Sequence, residues 1–307
     1  MHTASASWPL RGIIPPMITP LLDNDTLDVT NLEKLIEYII GGGVHGLFIL
    51  GTTGELSSLS YSLRRELIHH TANLVNGRVP LLVGITDTAL SESIQLAQTA
   101  AEGGAAAVVA AAPYYFNLSQ VELIAYYQHL ADQLPLPLLL YNMPSHTKIA
   151  LEPATVHILA QHPNIIGVKD SSGNGVNFQH TQHLLRHQPE FTVLVGPDEL
   201  TAEVVLLGAH GGINGGANLF PKLYVDMYEA ATRRDVAALL PLQEQVLTVC
   251  SRLYRIGDTA ASYIQGVKGA LSLLGLCHNK LAWPLQPFSS KELASIQQYL
   301  AEIKVSV

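Results

Sequence analysis

The sequence predicts an α/β protein: a closed (β/α)8 barrel with a C-terminal helical extension. Three observations predict it. Short β-rich apolar runs alternate with helical patterns eight times between residues 12 and 233. The runs are continuously apolar rather than alternating, as parallel strands buried on both faces require. Beyond about residue 234 the strand signal stops and only helical patterns continue. Strict strand–helix alternation implies right-handed crossovers, and eight units in this length fit a barrel better than an open doubly wound sheet. The open sheet is further disfavoured because no G-x-G-x-x-G follows the first strand and no phosphate-loop pattern occurs.

In order, the first unit joins an isoleucine-rich run at 12–18 to a helical pattern at 31–40. The second joins 46–50, rich in Leu, Phe and Ile, to 60–75, and the third joins 80–85 to 91–102. The fourth strand, 106–112, is built from Ala and Val and precedes 119–133. The fifth, 137–142, opens on Pro and three leucines and precedes 153–161. The sixth, 165–170, precedes 176–186; the seventh, 191–196, precedes 199–207; the glycine-rich eighth, 211–215, precedes 219–233. Residues 1–233 are therefore assigned to the barrel. Residues 234–307, with helices at 235–253, 260–274 and 290–303, are assigned to an extension packed on it.

With 307 residues, 48% hydrophobic and 14% charged, the chain can bury a large core. A formal net charge of -8 and the absence of Lys/Arg runs argue against nucleic acid as a partner. Two cysteines, Cys250 and Cys277, make neither a disulfide framework nor a metal site. The start of the chain, 1–9, lacks a basic stretch followed by an apolar one, so no signal peptide is expected. No apolar stretch is long enough to span a membrane. The expectation is a soluble cytoplasmic protein.

Lys169 is the most telling residue, because it ends the buried strand Ile165-Ile166-Gly167-Val168-Lys169-Asp170. Desolvating an ammonium group is costly, so lysine is rare in such a place unless paired or chemically used. Burial favours the neutral amine, which can attack a carbonyl and form a Schiff base. The alternative is a lysine that reaches water or pairs with Asp170.

In a barrel, chemistry sits where strands end and βα loops begin. Those ends carry Gly51-Thr52-Thr53-Gly54-Glu55, Pro113-Tyr114-Tyr115, Tyr141-Asn142-Met143-Pro144, Lys169-Asp170-Ser171-Ser172, Gly196-Pro197-Asp198-Glu199 and the glycine-rich Gly211 to Asn218. An amine attacking a ketone needs a proton shuttle to lose water, and Tyr141 oriented by Thr52 can supply one. The N–H groups and hydroxyl of Thr52-Thr53 can hold a carboxylate, with Gly51 and Gly54 allowing close approach. Each piece alone also fits a structural role: a tight turn, a core tyrosine, acids at a helix N-terminus. Their joint occurrence with the lysine carries the reading.

On these motifs the chain resembles the class I pyruvate-type aldolases typified by N-acetylneuraminate lyase and dihydrodipicolinate synthase, over essentially its whole length. The resemblance implies that Lys169 forms a Schiff base with a 2-oxo acid, usually pyruvate, and that Tyr141 shuttles protons. It implies a relay of Thr52, Tyr141 and a Tyr115 reaching across from a neighbouring subunit. It also implies Thr53 and Gly51 around the substrate carboxylate, Ile213 and Gly196 lining the pocket, no cofactor or catalytic metal, and a homotetramer arranged as a dimer of dimers.

One departure bears on substrate. Dihydrodipicolinate synthases carry an arginine for the second substrate's carboxylate where this chain has His146, and a neutral imidazole gives no permanent bidentate charge. Lys148 lies close enough to substitute. Asp198-Glu199 resembles the acidic pair with which sialic acid lyases hold sugar hydroxyls, with Ser172 and Asn214 as neutral additions. The expected reaction is cleavage of a 2-keto-3-deoxy sugar acid, or a related hydroxy-2-oxo acid, to pyruvate and an aldehyde. Alternatives are dihydrodipicolinate synthesis, a dehydratase or deaminase using the same imine, and a catalytically silent 2-oxo acid sensor. His180, His183 and His187 are read as a solvated helix face rather than a metal site, and Lys34, Lys222, Lys268, Lys280, Lys291 and Lys304 as solvated.

Overall fold

The computed structural model describes residues 8–257, 259 and 261–303. The readings on residues 1–7 and on Lys304 fall outside the described residues.

The chain is a (β/α)8, or TIM, barrel carrying a helical extension. Its strands are β1 (Gly12–Ile13), β2 (Leu47–Ile49), β3 (Leu81–Gly84), β4 (Ala107–Ala111), β5 (Leu138–Asn142), β6 (Ile165–Asp170), β7 (Thr192–Val195) and β8 (Gly211–Gly212). All pairings are parallel, in the order β1-β8-β7-β6-β5-β4-β3-β2. A parallel bridge from Pro16 to Phe48 closes the ring between the continuation of β1 and β2. The helices that follow the strands are α1 (Val29–Gly41), α2 (Tyr61–Val75), α3 (Leu90–Glu102), α4 (Gln120–Gln133), α5 (Pro144–Thr147), α6 (Pro153–Leu159), α7 (Gly175–Leu185), α8 (Thr201–Leu206) and α9 (Pro221–Thr232). The extension consists of α10 (Val236–Leu253), α11 (Ser262–Leu273) and α12 (Ser290–Glu302).

Local chemistry explains these boundaries. In α1, Leu32, Leu35, Ile36 and Ile39 make one apolar stripe, and Asp28 caps its N-terminus by accepting from the Asn31 N–H. Ser119 and Glu122 form a capping box on α4, and Ser289 and Glu292 repeat it on α12.

Two expected strands are shorter than their apolar runs. Within 12–18, Pro15 and Pro16 have no N–H to donate, so the ladder stops at Ile13 and resumes only as a bridge. Within 211–215, the Gly215 and Gly216 N–H groups bond the carboxylate of Asp198 and turn the chain into a 3₁₀ segment, Gly215–Asn218. The short α5, which no periodicity announced, opens on Pro144 at its first position and closes on Lys148 in a left-handed conformation.

Apolar side chains fill two regions. Leu10, Ile14, Phe48, Leu82, Val109, Leu139, Leu194 and Ile213 pack inside the barrel. A larger cluster lies between the outer strand faces and the helices, and it includes Leu239, Val246 and Val249 of α10 and Val267 and Leu271 of α11. The extension thus shares the barrel's outer core. Lys268 corrects an expectation: it is fully buried on α11 and ion-paired to Glu55 at 2.5 Å rather than solvated. Among the described residues no helix is long and apolar enough to cross a membrane.

Candidate active site

Strand alternation places the lysine. β5 and β6 pair Tyr141 with Lys169 and Asn142 with Asp170. Successive side chains leave opposite faces of a strand. Tyr141 and Lys169 therefore enter the barrel, while Asn142 and Asp170 face outward. Asp170 is held there by the Asn142 amide at 2.7 Å and by the Ser172 N–H and hydroxyl at 2.8 and 2.6 Å. It is turned away from Lys169, which removes the alternative of a lysine–aspartate pair. Lys169 is only 4% exposed. Its Nζ lies 4.2 Å from the centroid of the Tyr141 ring and 5.3 Å from that of Phe48, so aromatic faces line the amine's surroundings.

The Tyr141 hydroxyl lies 3.1 Å from Thr52 Oγ1. Thr52 and Thr53 sit in the loop after β2, between two non-glycine residues with positive φ, Leu50 at 57° and Glu55 at 60°. Such backbone is uncommon outside glycine and marks a loop whose shape is imposed by its surroundings. The Glu55 carboxylate anchors that loop on Lys268 Nζ and on the Ala282 N–H. Thr53 Oγ1 lies 2.8 Å from the hydroxyl of Tyr263 on α11.

A cavity of about 180 Å³ opens above Lys169, bounded by Thr52, Thr53, Tyr141, Gly196, Ile213 and Tyr263. It is small beside the roughly 300–1,000 Å³ of drug-sized pockets and suits a short acid. A Cβ on Gly196 would collide with the Ser171 hydroxyl, so only glycine fits this wall. A larger, mainly apolar chamber of about 370 Å³, which Gly51 also lines, adjoins the first and shares Thr52, Tyr141, Met143 and His146 with it.

The remaining expected site residues divide. His146, on α5, is exposed at the rim of both spaces. Partial burial, and secondarily the Lys148 charge, push its pKa below the ordinary 6.5, so it is neutral at pH 7. Lys148 lines the larger chamber and donates to the Ser145 carbonyl. Tyr115 is 79% exposed and lies outside its own chain's cavity, whereas Tyr114 borders the larger chamber.

Asp198 borders the Lys169 cavity. It is buried, and its carboxylate accepts from the Gly215 and Gly216 N–H groups and the Tyr224 and Tyr254 hydroxyls. Three of these donors meet Oδ2 and one meets Oδ1, so Oδ1 keeps one acceptor position. Burial raises its pKa, against the pull of those donors. Glu199 and Ser172 lie outside the cavity lining, the latter turned to Asp170. Asn214 is fully buried and donates to the Gly196 carbonyl and Thr201 hydroxyl. Tyr263 carries no signal in the sequence, because it belongs to a helix of the extension and no strand-end pattern marks it. Among the described residues no three His, Cys, Asp or Glu side chains converge as a metal group would need.

A barrel whose strand ends hold a dry lysine against a threonine-bonded tyrosine defines a class I lyase, working through a lysine Schiff base. The model of the dihydrodipicolinate synthetase family matches residues 9–303, and the chain belongs to that family. The 4-hydroxy-tetrahydrodipicolinate synthase of Neisseria gonorrhoeae is 33% identical over 293 residues, covering 95% of this chain and 98% of that protein. The dihydrodipicolinate synthase structure from Bacteroides thetaiotaomicron superposes with a TM-score of 0.94 at 53% identity, covering 96% of this chain and 99% of that one. YagE of Escherichia coli K12, solved in complex with pyruvate, gives a TM-score of 0.91 at 32% identity, covering 97% of this chain and 100% of that one. YagE is provisionally assigned as a 2-dehydro-3-deoxy-D-gluconate aldolase.

Proposed function

We propose that the chain is a Schiff-base aldolase that cleaves, or in reverse builds, a 2-keto-3-deoxy sugar acid or related hydroxy-2-oxo acid, with pyruvate and an aldehyde as the fragments. The carrying observation is the buried Lys169 amine beside Tyr141, whose hydroxyl meets Thr52. In its neutral form the amine adds to the C2 carbonyl of the acid. Tyr141 delivers a proton to the carbinolamine oxygen, and water leaves as the imine forms. The imine then draws the electrons of the C3–C4 bond while Tyr141 takes the proton of the C4 hydroxyl. The aldehyde departs, the enamine is protonated at C3, and hydrolysis returns pyruvate and the free lysine.

Thr53 and the Thr52-Thr53 N–H groups hold the carboxylate, with Gly51, Gly196 and Ile213 setting the space around it. The exposure of Tyr115 supports its use by a second copy, in a tetramer built as a dimer of dimers. The pyruvate bound in YagE and that relative's sugar-acid assignment support the substrate class. With Asp198 largely engaged by internal donors, the hydroxylated tail meets the neutral rim groups Ser145 and His146.

Incubation with pyruvate and borohydride tests the mechanism: one pyruvyl group on Lys169 by mass spectrometry supports it, and an unmodified lysine defeats it. Release of two carbonyl fragments separates an aldolase from a dehydratase or deaminase.

Dihydrodipicolinate synthesis is the second reading, favoured by the 53% identity to the Bacteroides synthase and by Lys148 at the chamber wall. Aspartate semialdehyde in a panel of aldehydes decides it. Failure with that aldehyde, and a gain of roughly tenfold to a hundredfold in His146→Arg, would assign the missing charge to position 146. Efficient turnover by the unaltered protein would favour the synthase.

A further inference from the structure

On the Schiff-base reading above, we infer that Tyr263 is a substrate-binding residue whose phenol donates to the carboxylate of the 2-oxo acid on Lys169, so that the helical extension completes the site.

Tyr263 and Thr53 together wall the Lys169 cavity, and their hydroxyls lie 2.8 Å apart. Two hydroxyls facing each other share one O–H···O bond, so one of the two protons stays free for an incoming acceptor. A carboxylate is an acceptor only. The phenol is also fixed in place. Its ring meets Tyr254 edge-on, with centroids 4.8 Å apart and planes at 89°. Its hydroxyl lies where a Cβ on Gly215 would stand, so that position must be glycine.

The helix that carries Tyr263 is tied to the threonine loop a second time, by Lys268 on Glu55, both fully buried. Glu55 closes the loop that Thr52 and Thr53 begin, so Tyr263 and Lys268 fasten α11 to the two ends of one short segment. Burial first, and the Asp198 charge second, push the phenol's pKa far above its ordinary value. Tyr263 therefore keeps its proton and serves as a fixed donor. Its hydroxyl meets Thr53 at the cavity wall, where a carboxylate on Lys169 can reach the pair.

The experiment compares borohydride trapping of pyruvate and of methyl pyruvate, which has the same ketone and no carboxylate. The protein and its Tyr263→Phe variant are used, the variant keeping the ring against Tyr254. The expected result is a rise of roughly tenfold to a hundredfold in half-saturating pyruvate, with methyl pyruvate unaffected and maximal trapping unchanged. Equal losses with both ketones, or no loss, would overturn the inference. If that variant does not fold, Tyr263→Gln and Tyr263→Leu are compared: the inference stands if only the leucine variant loses the preference for pyruvate. It falls if both keep or both lose that preference. If the unaltered protein gives no adduct, the Schiff-base reading fails by itself, and calorimetric pyruvate binding decides here. Weaker binding in Tyr263→Phe keeps the inference, and unchanged or absent binding overturns it.

Discussion

Lys169 and Tyr141 are register partners on neighbouring strands, and the lysine Nζ lies 4.2 Å from the centroid of the tyrosine ring. The next register pair, Asn142 and Asp170, faces the opposite way and is hydrogen-bonded to itself. One step of strand alternation thus separates a buried amine from the carboxylate that would otherwise hold it as a charged ammonium.

Lys169→Met should abolish turnover and the borohydride adduct while leaving the fold intact. The thioether matches the lysine stem in shape and removes a costly buried amine. Thermal melting should therefore stay at or above the parental value. A variant that still turns over would remove the lysine from the mechanism.

Tyr141→Phe should lower kcat by about 10²–10⁴-fold, the usual span for a lost general acid/base. The ring would still pack on the amine, so pyruvate binding should change little. Thr52→Val removes only the partner of the Tyr141 hydroxyl. A smaller fall in kcat is expected there, and a larger one would reverse the two roles.

Barrel, lysine strand and threonine loop were legible because each has a local signature. Continuous apolar runs mark the strands, and a cation ending such a run stands out. What escaped was held by distant partners. Lys268 looked like an ordinary helical lysine, since its partner Glu55 is 213 residues away. Tyr263 reaches Thr53 across 210 residues. Asp198 had the right chemistry for a ligand but is engaged by donors from 17 to 56 residues onward, which no spacing rule reveals.

Removing one half of the Glu55–Lys268 pair should be severe. Lys268→Met leaves a buried carboxylate uncompensated, a loss of roughly 3–5 kcal/mol. Glu55→Gln combined with Lys268→Met removes both charges yet keeps an oxygen for the Ala282 N–H. Equilibrium urea denaturation should find the double variant more stable than Lys268→Met alone. Additive losses would show that the pair is not coupled.

His210 sets a pH dependence far from the candidate site. Its Nδ1 accepts the Val193 N–H at 3.0 Å, a bond that protonation of that nitrogen would break. Burial, and next the Arg11 charge, lower its pKa from 6.5 to about 4. The folded pKa is thus below the unfolded one, and between them the unfolded chain takes up the proton that the folded chain refuses. Stability from this residue is complete above pH 6.5, falls as the pH drops toward 4, and changes no further below that. The loss is on the order of 1–2 kcal/mol once solvent screening of a partly exposed ring is allowed for. His210→Asn keeps an acceptor for Val193 without a titrating group. Urea denaturation at pH 7.5 and pH 5 should therefore show a smaller drop in this variant than in the parent, and equal drops would assign the acid sensitivity to other groups.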